Sequence, residues 1–169
     1  VAIISRFDRT ATGARIPYLS AASLLEVSGR EDNAYTQVVD AILHVGANPI
    51  ADIQELWRRL VFNFLICNTD DHLRNTAFLY NNRKKGWQLS PAFDLNPMPA
   101  DKRESKTWLT EATGPITNKD MLLENAEYFR LTANEATDIY NQVEKAVSQW
   151  KVVAKNLGMS VYSLADFEP

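Results

Sequence analysis

"NTDDHLRNTAFLY", residues 68–80, puts two carboxylates, an imidazole, a guanidinium and two asparagines directly behind the almost wholly apolar run "LVFNFLIC", residues 60–67. An ionised group left alone in a low-dielectric interior is costly, so a buried element that ends this way must deliver its charges to a cleft or pair them. Upstream, Ile53, Leu56, Trp57, Leu60, Val61, Phe64 and Leu65 recur at helical spacing, and Phe62 and Ile66 make the second half apolar nearly all round. That spacing predicts a helix over 48–67, buried on most sides. Downstream, "TAFLY" and "GWQLS" are short strand-like runs around "NNRKKG", which suits an exposed hairpin turn. Arg83, Lys84 and Lys85 read as a solvated turn.

Asp70 precedes Asn75 by five residues; the hairpin follows, and Asp94 lies beyond its second strand in the proline-rich "PAFDLNPMP". A kinase-type phosphoryl-transfer site needs an aspartate to hold the acceptor hydroxyl, an asparagine for a magnesium ion, and a second aspartate to bridge magnesium to the phosphates. Oxygen ligands suit that hard cation. A hairpin between them would bring Asn75 and Asp94 back to one end, and the buried helix would hold the loop rigid. The structural alternative makes Asp70 and Asp71 caps of backbone amides and Asn75 a turn residue. His72 reads either as a hydrogen-bonded neighbour of the aspartates or as part of the site. With His44 the sole other histidine, no zinc cluster is expected. Arg74 either pairs with Asp70 or Asp71 or lies over the phosphates. Asp71 has no assigned role.

The rest of the chain frames this centre. Val1, Ile3, Ile4 and Phe7 predict a strand that breaks into a loop closed by Pro17; "SAASLLEVSG" and "AYTQVVDAILHVG" then predict two short helices ending at Gly29 and Gly46. "ADKRESKTWLTEATGPIT" reads as irregular. "TNKDMLLENAEYF" predicts a helix, and "TANE", 132–135, a capping box that opens one continuous helix to Gly158. The expected architecture is mainly α, one helical domain over 1–169 with a single small β-hairpin in its middle.

At 169 residues the chain suits one domain, and its net charge of −3 excludes a general nucleic-acid-binding field. No apolar stretch reaches the roughly 20 residues of a membrane helix. Cys67 is the single cysteine, which rules out an internal disulfide and favours a reducing, cytoplasmic setting; its expected role is filler at the end of the buried helix. The chain opens at Val1 in mid-strand and reads as a piece of something longer.

"NTDDHLRNTAFL", "GWQLSPAFDLNP", "SRFDR", "RIPYLSAASLL" and "YFRLTANEATDIYNQVEKAVSQWKVVAKNLGMS" together resemble the C-terminal region of the HipA family of serine/threonine kinases, the toxins of bacterial toxin-antitoxin pairs. The resemblance covers nearly the whole chain. It implies a protein-kinase-like helical lobe: a hinge strand at 1–9, the catalytic loop, hairpin and metal-binding loop at 68–96, and C-terminal helices at 118–158. It implies Asp70 as the catalytic aspartate, and Asn75 and Asp94 as ligands of Mg2+. His72, Leu73, Arg74 and Asn75, with Phe93 and Asp94, would line the phosphates of ATP, while Ser5, Arg6 and Phe7 would meet adenine at the hinge. The family often has an acidic residue where this chain has Ser5. Implied partners are a protein substrate, translation-related in some members, and a DNA-binding antitoxin; direct nucleic-acid or membrane binding is not expected.

A kinase site also needs a glycine-rich loop and a strand lysine ahead of the catalytic loop. The glycines at 13, 29, 46, 86, 114 and 158 never cluster, and the first lysine is Lys84. The chain is therefore expected to be inactive without an N-terminal lobe. Two rivals stand beside the kinase lobe: a kinase-like module that binds an antitoxin or other partner, and a magnesium-dependent phosphohydrolase using Asp70, Asp71, His72 and Asp94.

Overall fold

Apolar periodicity is realised as α3, Pro49–Leu65, in a computed structural model that describes residues 5–28, 32–98 and 104–167. Proline at the first helical position fits because its missing N–H would be unpaired there in any case. Ile53, Leu56, Trp57, Leu60 and Val61 are almost fully buried, and complete burial of such a side chain contributes about 1.5–3 kcal/mol. α2, Tyr35–Val45, packs along one side of α3 with Val38, Val39 and Ile42. Gly46 caps it because a Cβ there would lie 2.3 Å from the Ile42 carbonyl oxygen. On another side sits α5, Ala133–Val147, and a 3-10 turn at Ala126–Phe129 presses Phe129 onto Trp57 with ring centroids 5.3 Å apart.

The hairpin forms as expected, β2 Ala77–Asn81 against β3 Gly86–Leu89, with Phe78 opposite Leu89 and Asn81 opposite Gly86. The Asn81 carboxamide oxygen accepts the Arg83 and Lys84 N–H groups, which shapes the turn. A third strand, β1 Tyr18–Ser20, pairs antiparallel to β2 and makes the sheet order β1-β2-β3. Three residues behind a proline are too few to show a period of two. Ser20 ends β1 and caps α1, Ala21–Leu24, accepting the Ser23 N–H at 3.1 Å. α1 is shorter than the expected helix, whose end at Gly29 lies outside the described residues.

A second difference falls in the stretch expected to be irregular. β4 Trp108–Thr110 and β5 Gly114–Pro115 form a small antiparallel pair, so the described residues hold two small sheets and not a single hairpin. Leu109 is fully buried, and the Trp108 N–H donates to the Asn33 carbonyl ahead of α2. Tertiary burial holds a strand that local pattern does not announce. Of the hinge strand expected over 1–9, residues 1–4 lie outside the described residues; 5–8 join no ladder, and Arg9 makes one bridge to Arg15.

The C-terminal helices are broken more often than their periodicity suggests. α4, Lys119–Glu124, gives way to the 3-10 turn, which Arg130 ends in the left-handed region at φ 59°. The capping box at Thr132 and Glu135 opens α5 as expected. α5 then stops at Ser148, whose hydroxyl donates to the Lys145 carbonyl, while the Gln149 N–H closes a tighter bond to Ala146. α6, Trp150–Asn156, and α7, Val161–Ala165, follow as separate short pieces. α6 buries no residue, so packing does not extend the α5 axis through it. Among the described residues no helix is long and apolar enough to cross a membrane.

Candidate active site

α3 delivers the polar stretch through a built turn. Cys67 takes a left-handed conformation at φ 54°, and buried Asn68 folds back so that its N–H donates to the Asn63 carbonyl at 2.8 Å and its NH2 to the Asn63 side chain at 3.0 Å. The Asn68 side-chain oxygen accepts the Asp70 N–H. Two buried carboxamides thus satisfy each other and set where the two aspartates leave the helix.

Asp70 and Asp71 then part company. The Asp70 carboxylate is 41% exposed, bonded to the Lys106 ammonium, with His72 Nε2 3.8 Å away. The Lys106 hydrogen bond holds the Asp70 carboxyl below the usual carboxylate range. Asp71 is 4% exposed and turns inward. Its carboxylate accepts the Tyr35 hydroxyl at 3.0 Å, the Lys106 N–H at 2.7 Å and the Ser105 hydroxyl, while its carbonyl accepts the Thr107 and Tyr35 hydroxyls. Burial pushes the Asp71 carboxyl up against those bonds, and burial with the Asp71 charge beside it pushes the Tyr35 phenol well above its ordinary value. For Asp71, the capping role considered as the structural alternative is what the structure displays.

Asn75 closes the loop: its NH2 donates to the Asp70 carbonyl at 3.0 Å and its N–H to the His72 carbonyl at 2.8 Å. The donor end of the carboxamide is committed to the protein, which leaves the carbonyl oxygen as the end suited to a cation. Leu73 sends its side chain into the core and its carbonyl accepts the Ala22 N–H. Arg74 is exposed and donates to the Ser28 carbonyl at 3.2 Å, not to either aspartate. His72 keeps Nδ1 buried without a hydrogen-bond partner among the described residues.

The hairpin returns the chain to this loop. The Ser90 N–H donates to the Ala77 carbonyl, and Arg59 of α3 donates to the Ser90 carbonyl at 2.7 Å. A cavity of about 20 Å³ is lined by Asn68, Asp71 and Asn75 together with Ala92, Phe93 and Leu95. It therefore joins the Asn75 loop to the segment that carries Asp94. Asp94 is exposed, holds φ 55°, and accepts the Asn96 NH2 at 2.8 Å. A left-handed aspartate is uncommon outside turns and carries some strain. Among the described residues no three His, Cys, Asp or Glu gather as a metal cage. One carboxylate and one carboxamide nevertheless suit magnesium, which usually keeps waters and takes few protein ligands.

Ser5, Arg6 and Phe7 line a separate cleft of about 370 Å³ with Asp8 and Tyr18. The Phe7 ring lies 5.6 Å from that of Phe93, so the expected hinge meets the expected metal-binding loop. Arg6 is turned to Asp8, Nε to Oδ1 at 2.8 Å, and that bond lowers the Asp8 carboxyl to about 2. The sequence missed Tyr35, Ser105, Lys106 and Thr107 as neighbours of the site. The only available signal was Asp71 itself, a second carboxylate needing a buried partner.

The family model for HipA-like C-terminal domains matches residues 1–150. Two curated relatives are both named "Putative kinase". Y4dM of Sinorhizobium fredii is 31% identical over 168 residues, covering 93% of this chain and 39% of that protein. The other, of Haemophilus influenzae, is 35% identical over 71 residues, covering 39% of this chain and 20% of that protein. The chain thus spans about two fifths or less of the curated relatives it matches. A solved structure described as the Shewanella oneidensis MR-1 toxin-antitoxin complex of HipA, HipB and operator DNA superposes with a TM-score of 0.74 at 17% identity, over 96% of this chain and 44% of that one. At that identity the likeness shows the fold.

Proposed function

This chain belongs to the family of HipA-like C-terminal domains, and from that premise we propose that it is the C-terminal catalytic lobe of a serine/threonine protein kinase that transfers the γ-phosphate of ATP to a protein hydroxyl. Asp70 orients the acceptor hydroxyl and takes its proton. Asn75 and Asp94 hold Mg2+, which when bound neutralises charge on the phosphates. Phe93 and the loop from His72 to Asn75 border the phosphates, with Leu73 acting through its fixed position in the core. Arg74 must leave the Ser28 carbonyl to reach them. Ser5, Arg6 and Phe7 offer the cleft for adenine.

The observation that carries this reading is the Asn75-to-Asp70 hydrogen bond at 3.0 Å. It closes the five-residue interval and holds the proposed base and the proposed metal ligand in one rigid loop. The phosphohydrolase alternative loses support because Asp71, which it needs as a ligand, is buried and fully engaged. The whole protein supplies the glycine-rich loop and lysine on this reading, and a DNA-binding antitoxin is its proposed partner by analogy with the HipA–HipB complex. The test incubates full-length protein with labelled ATP, Mg2+ and a serine/threonine peptide library. Asp70→Asn should reduce incorporation by roughly 10²- to 10⁴-fold, the usual contribution of a positioned base; an undiminished rate would refute the assignment.

A further inference from the structure

Lys106 lies far from Asp70 in sequence and outside every motif, yet its ammonium bonds to Asp70 Oδ1. Its backbone is fixed through Asp71. Ser105 before it donates to the Asp71 carboxylate, its own N–H donates to Asp71 Oδ1 at 2.7 Å, and Thr107 after it donates to the Asp71 carbonyl at 2.8 Å. One buried aspartate, adjacent to Asp70, therefore holds three consecutive residues. The ion pair itself is open, with Lys106 57% and Asp70 41% exposed. An exposed pair of this kind adds little to stability. Stability therefore does not account for the ion pair that this mounting delivers.

We propose that Lys106 is a catalytic residue of this site, the cation that meets the terminal phosphate of the nucleotide, and that Asp71 is the positioning residue that sets it there. The proposal rests on the phosphotransfer reading above. In that reaction the acceptor oxygen forms a bond to the γ-phosphorus while the bond from that phosphorus to the β,γ-bridging oxygen breaks. The electron pair leaves with ADP, and the hydroxyl proton passes to Asp70. A phosphoryl group moving to a hydroxyl held on Asp70 passes beside the ammonium already bonded to that carboxylate. The Lys106 ammonium offsets charge on the equatorial oxygens.

The experiment measures binding of ATP and of ADP, each with Mg2+, to the full-length protein by calorimetry, and so needs no knowledge of the acceptor. Lys106→Met should weaken ATP by roughly 10- to 100-fold, the worth of one charged hydrogen bond, and leave ADP unchanged. Lys106→Arg should keep most of the preference for ATP. Asp71→Ala, which removes the acceptor of the Lys106 N–H, should erode the same preference while Lys106 is intact, which a merely structural loss would not do selectively. An unchanged ATP-to-ADP ratio in Lys106→Met, or equal weakening of both nucleotides, overturns the proposal. A wild-type protein that binds neither nucleotide brings down the phosphotransfer reading and the proposal together.

Discussion

Replacing Asp71 with alanine strips the carboxylate from a buried site where three donors converge. The Tyr35 hydroxyl retains the Asp71 carbonyl at 3.1 Å, and the Ser105 hydroxyl retains the Thr107 carbonyl at 2.9 Å. The Lys106 N–H has no such second acceptor among the described residues. Each hydrogen bond to a charged group contributes about 1.5–3 kcal/mol, and a stranded buried donor costs about 1–3 kcal/mol. Against this, removing a carboxylate whose pKa is raised by burial relieves part of its desolvation. The balance is a loss of about 2–4 kcal/mol. An asparagine in place of Asp71 would keep the shape and one acceptor, and the two hydroxyls can reverse to accept from its NH2, so Asp71→Asn should lose only about 1–2 kcal/mol. Urea unfolding of the full-length protein, followed by tryptophan fluorescence, reads both, since Trp57 is buried in the core and Trp108 is bonded beside the latch that Asp71 forms with Ser105, Lys106 and Thr107. A stability unchanged within about 0.5 kcal/mol in Asp71→Ala, the range of an ordinary surface substitution, would refute the latch.

Because burial raises the Asp71 carboxyl above its ordinary value of 3.8, the folded chain holds that proton to higher pH than the unfolded chain does. The associated stability is fully present below the unfolded value and is lost as pH rises through the folded one. Melting temperatures taken upward from pH 4 should therefore fall more steeply with pH in the wild type than in Asp71→Asn; parallel profiles would count against the burial. Gly86→Ala should cost about 1–3 kcal/mol, since a Cβ there would lie 2.9 Å from the Ala47 nitrogen and 3.0 Å from the Val45 carbonyl oxygen, both backbone atoms. Thermal unfolding checks it, and a neutral change would mean that the hairpin is not seated on the α2–α3 junction.

Legibility of the fold followed the length of each pattern. α3 and α5 repeat their apolar faces over several turns, and Thr132 with Glu135 announces where α5 starts. Both were readable from sequence. β1, β4 and β5 have two or three residues each and exist through long-range partners, Ala77–Leu79 for β1 and Asn33 for β4. No local period can carry that information. The break at Ser148 was hidden for the opposite reason: Trp150, Val153, Ala154 and Leu157 continue the apolar rhythm of α5, but Val153 and Leu157 are 52% and 82% exposed. Periodicity reports a face that could be buried and is silent on whether anything covers it.

The same distinction governs the two aspartates. "DD" at 70–71 offers two chemically identical side chains, and their spacing to Asn75 and Asp94 selects the first without explaining the second. The structure drives their carboxyls in opposite directions, Asp70 down beside the Lys106 ammonium and Asp71 up through burial. Adjacent titratable groups pushed apart by their environments are a mark of divided roles. Here the division is physical: the Asp70 carboxylate faces outward beside the Lys106 ammonium, and its buried neighbour is spent on holding the peptide that carries that cation. A glutamate in place of Asp71 would preserve the charge but lengthen the arm, displacing the Lys106 N–H from its 2.7 Å contact. Charge alone therefore cannot substitute at Asp71, because what that position supplies to Asp70 is a fixed distance.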